Sequence, residues 1–172
     1  MAAKLIERGY NVAQIGAFND KKLSVPGVID LTGKMTFKQH LGFFSKKCIG
    51  YVGNDSGPAY LAAESGIPTL LVMGSTQNLG LDKGPSVGPC HPNVKYIHSA
   101  KPENNICKPV PCYTHCLIGK QGGCVADVDV KTVYDGIIGM LGGATLEDNS
   151  EKANALKTID GSVKEPSIVR VS

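Results

Sequence analysis

Arginine is nearly missing from this 172-residue chain, with only Arg8 and Arg170 present, so bidentate guanidinium clamps on phosphate or carboxylate are scarce. An anion bound here must be held by backbone N–H groups and lysines. An excess of one charge is missing too: 18 basic against 15 acidic residues leave +3. The lysines are scattered apart from the doublets Lys21-Lys22 and Lys46-Lys47. That spread argues against a nucleic-acid partner, which draws Lys and Arg onto one face. No window approaches the ~18–20 unbroken apolar residues of a membrane-crossing helix. Lys4, Glu7 and Arg8 stand where an export signal would be apolar. The expectation is a protein that does not span a membrane and resides in the cytoplasm.

Several chemical signatures are absent as well. There is no G-x-G-x-x-G dinucleotide fingerprint, no G-x-x-x-x-G-K-[ST] phosphate loop and no G-x-S-x-G nucleophile elbow. The four histidines, His40, His91, His98 and His115, show no metal spacing, and no cofactor is expected. Of six cysteines, Cys107, Cys112, Cys116 and Cys124 crowd into one stretch, at spacings that only loosely resemble a metal knuckle because the tight C-x2-C pair is missing. A structural zinc site, a redox role and simple packing thiols all stay open for them. Cys48 opens an apolar run and reads as a small buried hydrophobe.

What is present suffices for one core: 42% hydrophobic and 19% charged residues, with 21 glycines and 10 prolines marking a loop-rich globular chain. Ala2 to Arg8 reads as a helix closed by Gly9, and Asn11 to Ile15 as a buried strand. Val25 to Leu31 approaches a second strand. Thr36 caps a helix reaching about Lys47, with Phe37, Leu41 and Phe44 on one apolar face. Cys48 to Val52 reads as a strand, Ala59 to Ser65 as a helix ended by Gly66, and Thr69 to Met73 as a strand covered on both faces. Val94 to Ile97 adds a strand and Val130 to Leu141 a closing helix. Strands alternating with helices at this spacing predict an α/β fold: a Rossmann-like parallel sheet with flanking helices, over residues 1–142. Residues 143–172 are mostly polar and read as a flexible tail.

In open parallel sheets, ligands lie beyond the carboxyl ends of the strands, where helix N-termini present free N–H groups. Gly53-Asn54-Asp55-Ser56-Gly57-Pro58 is the most informative such loop. Its glycines admit a ligand to the backbone and its proline opens a helix at no hydrogen-bond cost. It suits a phosphate, although Asp55 or Ser56 serving only as a helix cap fits equally well. Gly74-Ser75-Thr76 repeats the arrangement one strand later, so the pair points to a diphosphate or nucleotide. Lys34 supplies a cation at the same sheet edge unless it is a solvated loop lysine, and Asp20 offers a carboxylate for ribose hydroxyls unless it is a surface acid.

These loops resemble glycosyltransferase family nine, the ADP-heptose:lipopolysaccharide heptosyltransferases. The resemblance is carried by Asp30-Leu31-Thr32-Gly33-Lys34, by Gly53 to Ala63, by Gly66-Ile67-Pro68-Thr69 leading to Gly74-Ser75-Thr76, and by the cysteine-bearing stretch Cys107 to Cys124. It implies the C-terminal, donor-binding half of a two-domain GT-B fold that moves a sugar from a nucleotide-diphosphate donor such as ADP-heptose to a saccharide acceptor. It further implies that Asp55, Ser56 and Gly57 meet the diphosphate and sugar, Asp20 the ribose, Met35 and Thr36 the base, and Ser75 and Thr76 the phosphates. The family usually has histidine where this chain has Tyr60. The acceptor-binding half and the first strand of the donor half are expected to lie outside the chain, with a protein partner supplying that half at an exposed sheet edge. A non-catalytic nucleotide or sugar-phosphate binding module, an inactive remnant, and a zinc protein built on the four clustered cysteines are the other readings.

Overall fold

A computed structural model describes residues 1–73, 91–98, 124–142 and 168–171. The chain enters with α1 (Ala2–Glu7), then β1 (Asn11–Gln14) and β2 (Val28–Asp30). It continues with α2 (Phe37–Lys47), β3 (Cys48–Asn54), α3 (Gly57–Glu64), β4 (Thr69–Met73) and β5 (Val94–His98). A 3-10 turn (Cys124–Asp127), α4 (Val130–Met140) and β6 (Ile168–Val171) complete it.

The six strands form one sheet in the order β2-β1-β6-β3-β4-β5, parallel at every pairing. Side chains of successive strand residues point to opposite faces, and both faces are apolar. Ala13, Tyr51 and Leu71 face a core shared with Phe44 of α2 and Ala59, Leu61 and Ala62 of α3. Their neighbours Val12, Val52 and Leu70 face a second core shared with Ala2 and Leu5 of α1 and Val133 and Ile137 of α4. Three layers result, helices over each face of a parallel sheet, which is the Rossmann-like α/β class. Phe44 meets Tyr51 edge to face at 5.8 Å between ring centres, tying α2 to the central strand. Lys4 of α1 lies over the Tyr134 ring of α4, joining the helices of the opposite layer.

Most expected elements stand within a few residues of their predicted bounds, and Cys48 is buried with a free thiol. Two features differ. The apolar face of α2 is narrower than its spacing suggested: Phe44 is buried, whereas Phe37 is 70% and Leu41 43% exposed. Residues 168–171, assigned from composition to the tail, form β6 at the centre of the sheet between β1 and β3. The expected gap at a sheet edge is therefore corrected: the edges are β2 and β5, and the position between β1 and β3, which the doubly wound order gives to a first strand, holds β6. Residues 143–167 lie outside the described residues. No described helix is long and apolar enough to cross a membrane.

Candidate functional site

A cleft of about 810 Å³ opens at the carboxyl ends of β1, β2 and β3, within the size range of small-molecule sites. Three segments wall it: the turn after β1, with Gly16, Asp20 and Lys21; the turn after β2, with Gly33 and Met35; and the junction of β3 with α3, with Asn54, Ser56 and Gly57.

The first wall is fixed from beneath by Gln14. This side chain is buried at the end of β1, after the buried Val12 and Ala13, yet both ends of its amide are paired. Its Nε2 donates to the Lys21 carbonyl at 2.8 Å, and its Oε1 accepts from the Leu23 N–H at 2.7 Å. Asp20 closes the same turn by accepting the Ala17 N–H at 2.7 Å. Its carboxylate occupies the space that a Cβ on Gly16 would need, so a side chain there would displace Asp20 from the turn. The second wall is joined to the first by the Gly33 N–H, which donates to the Gly16 carbonyl at 2.9 Å. Gly33 has φ +67, and a Cβ on it would meet the Phe18 backbone at 2.8 Å, so only glycine allows this approach.

Beside this wall lies a charged knot. Asp30, the last residue of β2, accepts from the Thr32 hydroxyl at 2.5 Å and N–H at 3.0 Å, and pairs with Lys22 at 2.9 Å. The Thr32 hydroxyl first, then Lys22 and the Thr32 N–H, hold the Asp30 carboxyl well below the usual carboxylate range. Lys34 belongs to this knot as well: its Nζ donates to the Asp30 carbonyl at 2.6 Å.

The third wall is the start of α3. Ser56 stands at the N-cap position but makes no side-chain cap; its hydroxyl instead donates to the Asn54 carbonyl at 3.2 Å. Pro58 in the first turn has no N–H to offer. A Cβ on Gly57 would meet nothing within 4 Å, so the backbone here is open to the cleft it lines. The Ala59 N–H donates to the Ser56 carbonyl at 2.9 Å, so the donor this helix start offers is the Gly57 N–H, at an end that carries partial positive charge, a setting for an anion. The far end of α3 is held: the Asn93 amide donates to the Ala63 carbonyl at 3.1 Å and the Ile67 carbonyl at 2.7 Å.

Of the residues singled out from sequence, Asp20, Met35, Ser56 and Gly57 come together on this cleft. Lys34, Thr36, Asp55 and Tyr60 are not among its lining residues. Lys34 is turned to the Asp30 carbonyl, and Thr36 is engaged as the cap of α2. Ser75, Thr76, Cys107, Cys112 and Cys116 lie outside the described residues, while Cys124 is a buried free thiol. The described residues contain no group of three or more His, Cys, Asp or Glu arranged to hold a metal.

Sequence reading missed Gln14, Lys21, Phe37, His40 and Val125, all of which line the cleft. One signal was available: a glutamine between the apolar residues Val12-Ala13 and Ile15 needs partners when buried, and those partners define the wall. Phe37 and Val125 carried no such mark. Comparison with protein-family models, with curated proteins and with solved structures yields no match.

Proposed function

We propose that the chain is the donor-binding domain of a nucleotide-sugar glycosyltransferase resembling the heptosyltransferases, the C-terminal half of a GT-B fold, with the cleft taking a nucleoside diphosphate-sugar such as an ADP-heptose. The observation that carries this reading is the uncapped, glycine-lined start of α3 facing a cleft at the carboxyl edge of the sheet. In a chain with two arginines, backbone donors are what remains for holding a diphosphate, and Lys21 on the opposite wall adds a cation. Lys21 takes the part that Lys34 was expected to play.

The other groups suit the rest of such a donor. The Asp20 carboxylate is an acceptor for ribose hydroxyls, and the apolar Met35 and Phe37 suit the flat face of a base. When the bond between the sugar and the diphosphate breaks, negative charge collects on the leaving phosphate oxygen. In this reading the positive end of α3, with the Gly57 N–H, and the Lys21 ammonium offset that charge. The reading assigns donor binding and leaving-group stabilisation to this chain; the acceptor saccharide and its base belong to the other half of such a transferase.

Calorimetric titration tests the proposal. ADP and ADP-sugars should release binding heat with the wild-type chain, and Gly57→Val, which projects methyl groups into the cleft, should weaken that binding at least tenfold while circular dichroism stays unchanged. Absence of heat at millimolar nucleotide would sink the reading. Binding of ADP with no preference for its sugar derivatives would favour a non-catalytic nucleotide module.

A further inference from the structure

His40 stands one helical turn before Phe44 on α2, so the two rings share a face of the helix. They stack at 6.3 Å between ring centres, with 21° between their planes. Phe44 is fully buried and meets Tyr51 edge to face, so the imidazole rests on a ring that the core holds in place. His40 also lines the cleft, together with Ser56, Gly57 and Leu61 of the β3–α3 side. Among the described residues lining the cleft, the ionisable side chains are Asp20, Lys21 and His40. A carboxylate and an ammonium cancel in formal charge, so the sign of the cleft rests with the imidazole. From the elements packed on α2, β3 brings Tyr51 and Cys48, both buried, and α3 brings Tyr60 and Glu64; none of these lines the cleft. Glu64 is paired with His91. Lys34, Lys38, Asp55 and Asp127 lie outside the lining residues too.

We propose that His40 is an anion-binding residue of this cleft, taking up a proton when a diphosphate occupies it and then acting as a cation beside Lys21 and the Gly57 N–H. The inference rests on the reading of the cleft as a diphosphate site. Imidazole is the side chain whose charge ordinarily changes between about pH 5 and pH 8, and a nearby anion favours its charged form. The step is a protonation: a lone pair on a ring nitrogen takes a proton from the solvent, and no other bond changes. The coupling is reciprocal. An anion that tightens proton binding at His40 is itself bound more tightly, by the same factor, as pH falls. Lys21 carries no such dependence over this range, because an ammonium keeps its charge there, so the pH response of the cleft separates the two cations.

ADP-glucose is the probe, because its diphosphate is esterified at both ends and keeps a constant charge over this range, unlike that of ADP. Calorimetry of the full chain near neutral pH, in two buffers of different ionisation heat, counts the protons taken up on binding. The wild-type chain should take up a measurable fraction of one proton per ligand, and its affinity should rise at least about threefold from pH 8 to pH 6. His40→Gln keeps a polar side chain but cannot become a cation; it should take up no proton and bind equally at both pH values. Lys21→Met should bind more weakly at both and keep the proton uptake. Binding without proton uptake, or uptake that persists in His40→Gln, overturns the role of His40 and leaves the cleft as a donor site. No binding at either pH overturns the donor reading and this inference together. Should His40→Gln fail to fold, the histidine ring-proton resonances of the wild-type chain decide. One of them should titrate at higher pH with ADP-glucose than without it, and if none moves the assignment is overturned.

Discussion

The starts of α2 and α3 make the most instructive comparison in the molecule. At α2, Thr36 and Gln39 close a reciprocal capping box: the Gln39 N–H donates to the Thr36 hydroxyl and the Thr36 N–H to the Gln39 side chain at 2.8 Å. At α4, the Asp129 carboxylate likewise accepts the Thr132 N–H at 2.9 Å. At α3, Ser56 occupies the same position and its hydroxyl turns away to the Asn54 carbonyl. A residue type that normally caps a helix has been diverted where the helix start meets the cleft. With Pro58 lacking an N–H and the Ala59 N–H held by the Ser56 carbonyl, the Gly57 N–H and the positive end of the helix are what this start offers a ligand, and a negatively charged cap would oppose an anion there.

The comparison can be broken at four points. The largest effect is expected on the wall opposite α3, where Gln14→Leu would leave the Lys21 carbonyl and the Leu23 N–H unpaired. A loss of about 2–3 kcal/mol in urea unfolding is expected, and a loss under about 1 kcal/mol would mean that the turn finds other partners. Thr36→Ala removes a working cap and should cost about 1 kcal/mol, read as a fall of about 2–4 °C in Tm. Ser56→Asp supplies the cap that α3 lacks: stability should rise by about 0.5 kcal/mol and nucleotide affinity should fall several-fold. Equal affinity in the capped variant would separate the open helix start from ligand binding.

The smallest effect concerns pH. The carboxyls of Asp30 and Asp129 titrate below their ordinary value in the folded chain, Asp30 chiefly through the Thr32 hydroxyl and Asp129 chiefly through the Thr132 N–H. Groups shifted this way favour the folded state fully at pH above the unfolded aspartate value of about 3.9, and that contribution is lost as pH falls through the folded values. Asp30→Asn should lower stability in the neutral region and leave it unchanged at the acid extreme, so that the acid limb of the stability–pH profile flattens, as denaturant midpoints would show.

Much of the fold is legible in the chain because it rests on local chemistry. Thr36 ahead of a helical pattern specifies where α2 begins, and the run Thr69–Met73 is a strand covered on both faces because nothing polar interrupts it. The site was less legible. Lys34 and Lys21 are indistinguishable as letters, and the difference between them is that the Asp30 carbonyl lies within reach of one ammonium while the other residue lines the cleft. Asp20 lines the cleft and also closes its own turn over Gly16, a role that depends on the turn's shape.

The sequence by itself determined the α/β alternation, the helix boundaries and the use of backbone donors where arginine is scarce, since these follow from periodicity, capping chemistry and composition. Tertiary structure alone decided which turns converge into a cleft, which helix start stays open, and that Ile168–Val171 lies at the centre of the sheet. The physical reason is that a strand is completed by its partners. Four apolar-rich residues at the end of a polar stretch carry too short a period to declare themselves, and the β1 and β3 edges that give them a place are more than a hundred residues away in the chain.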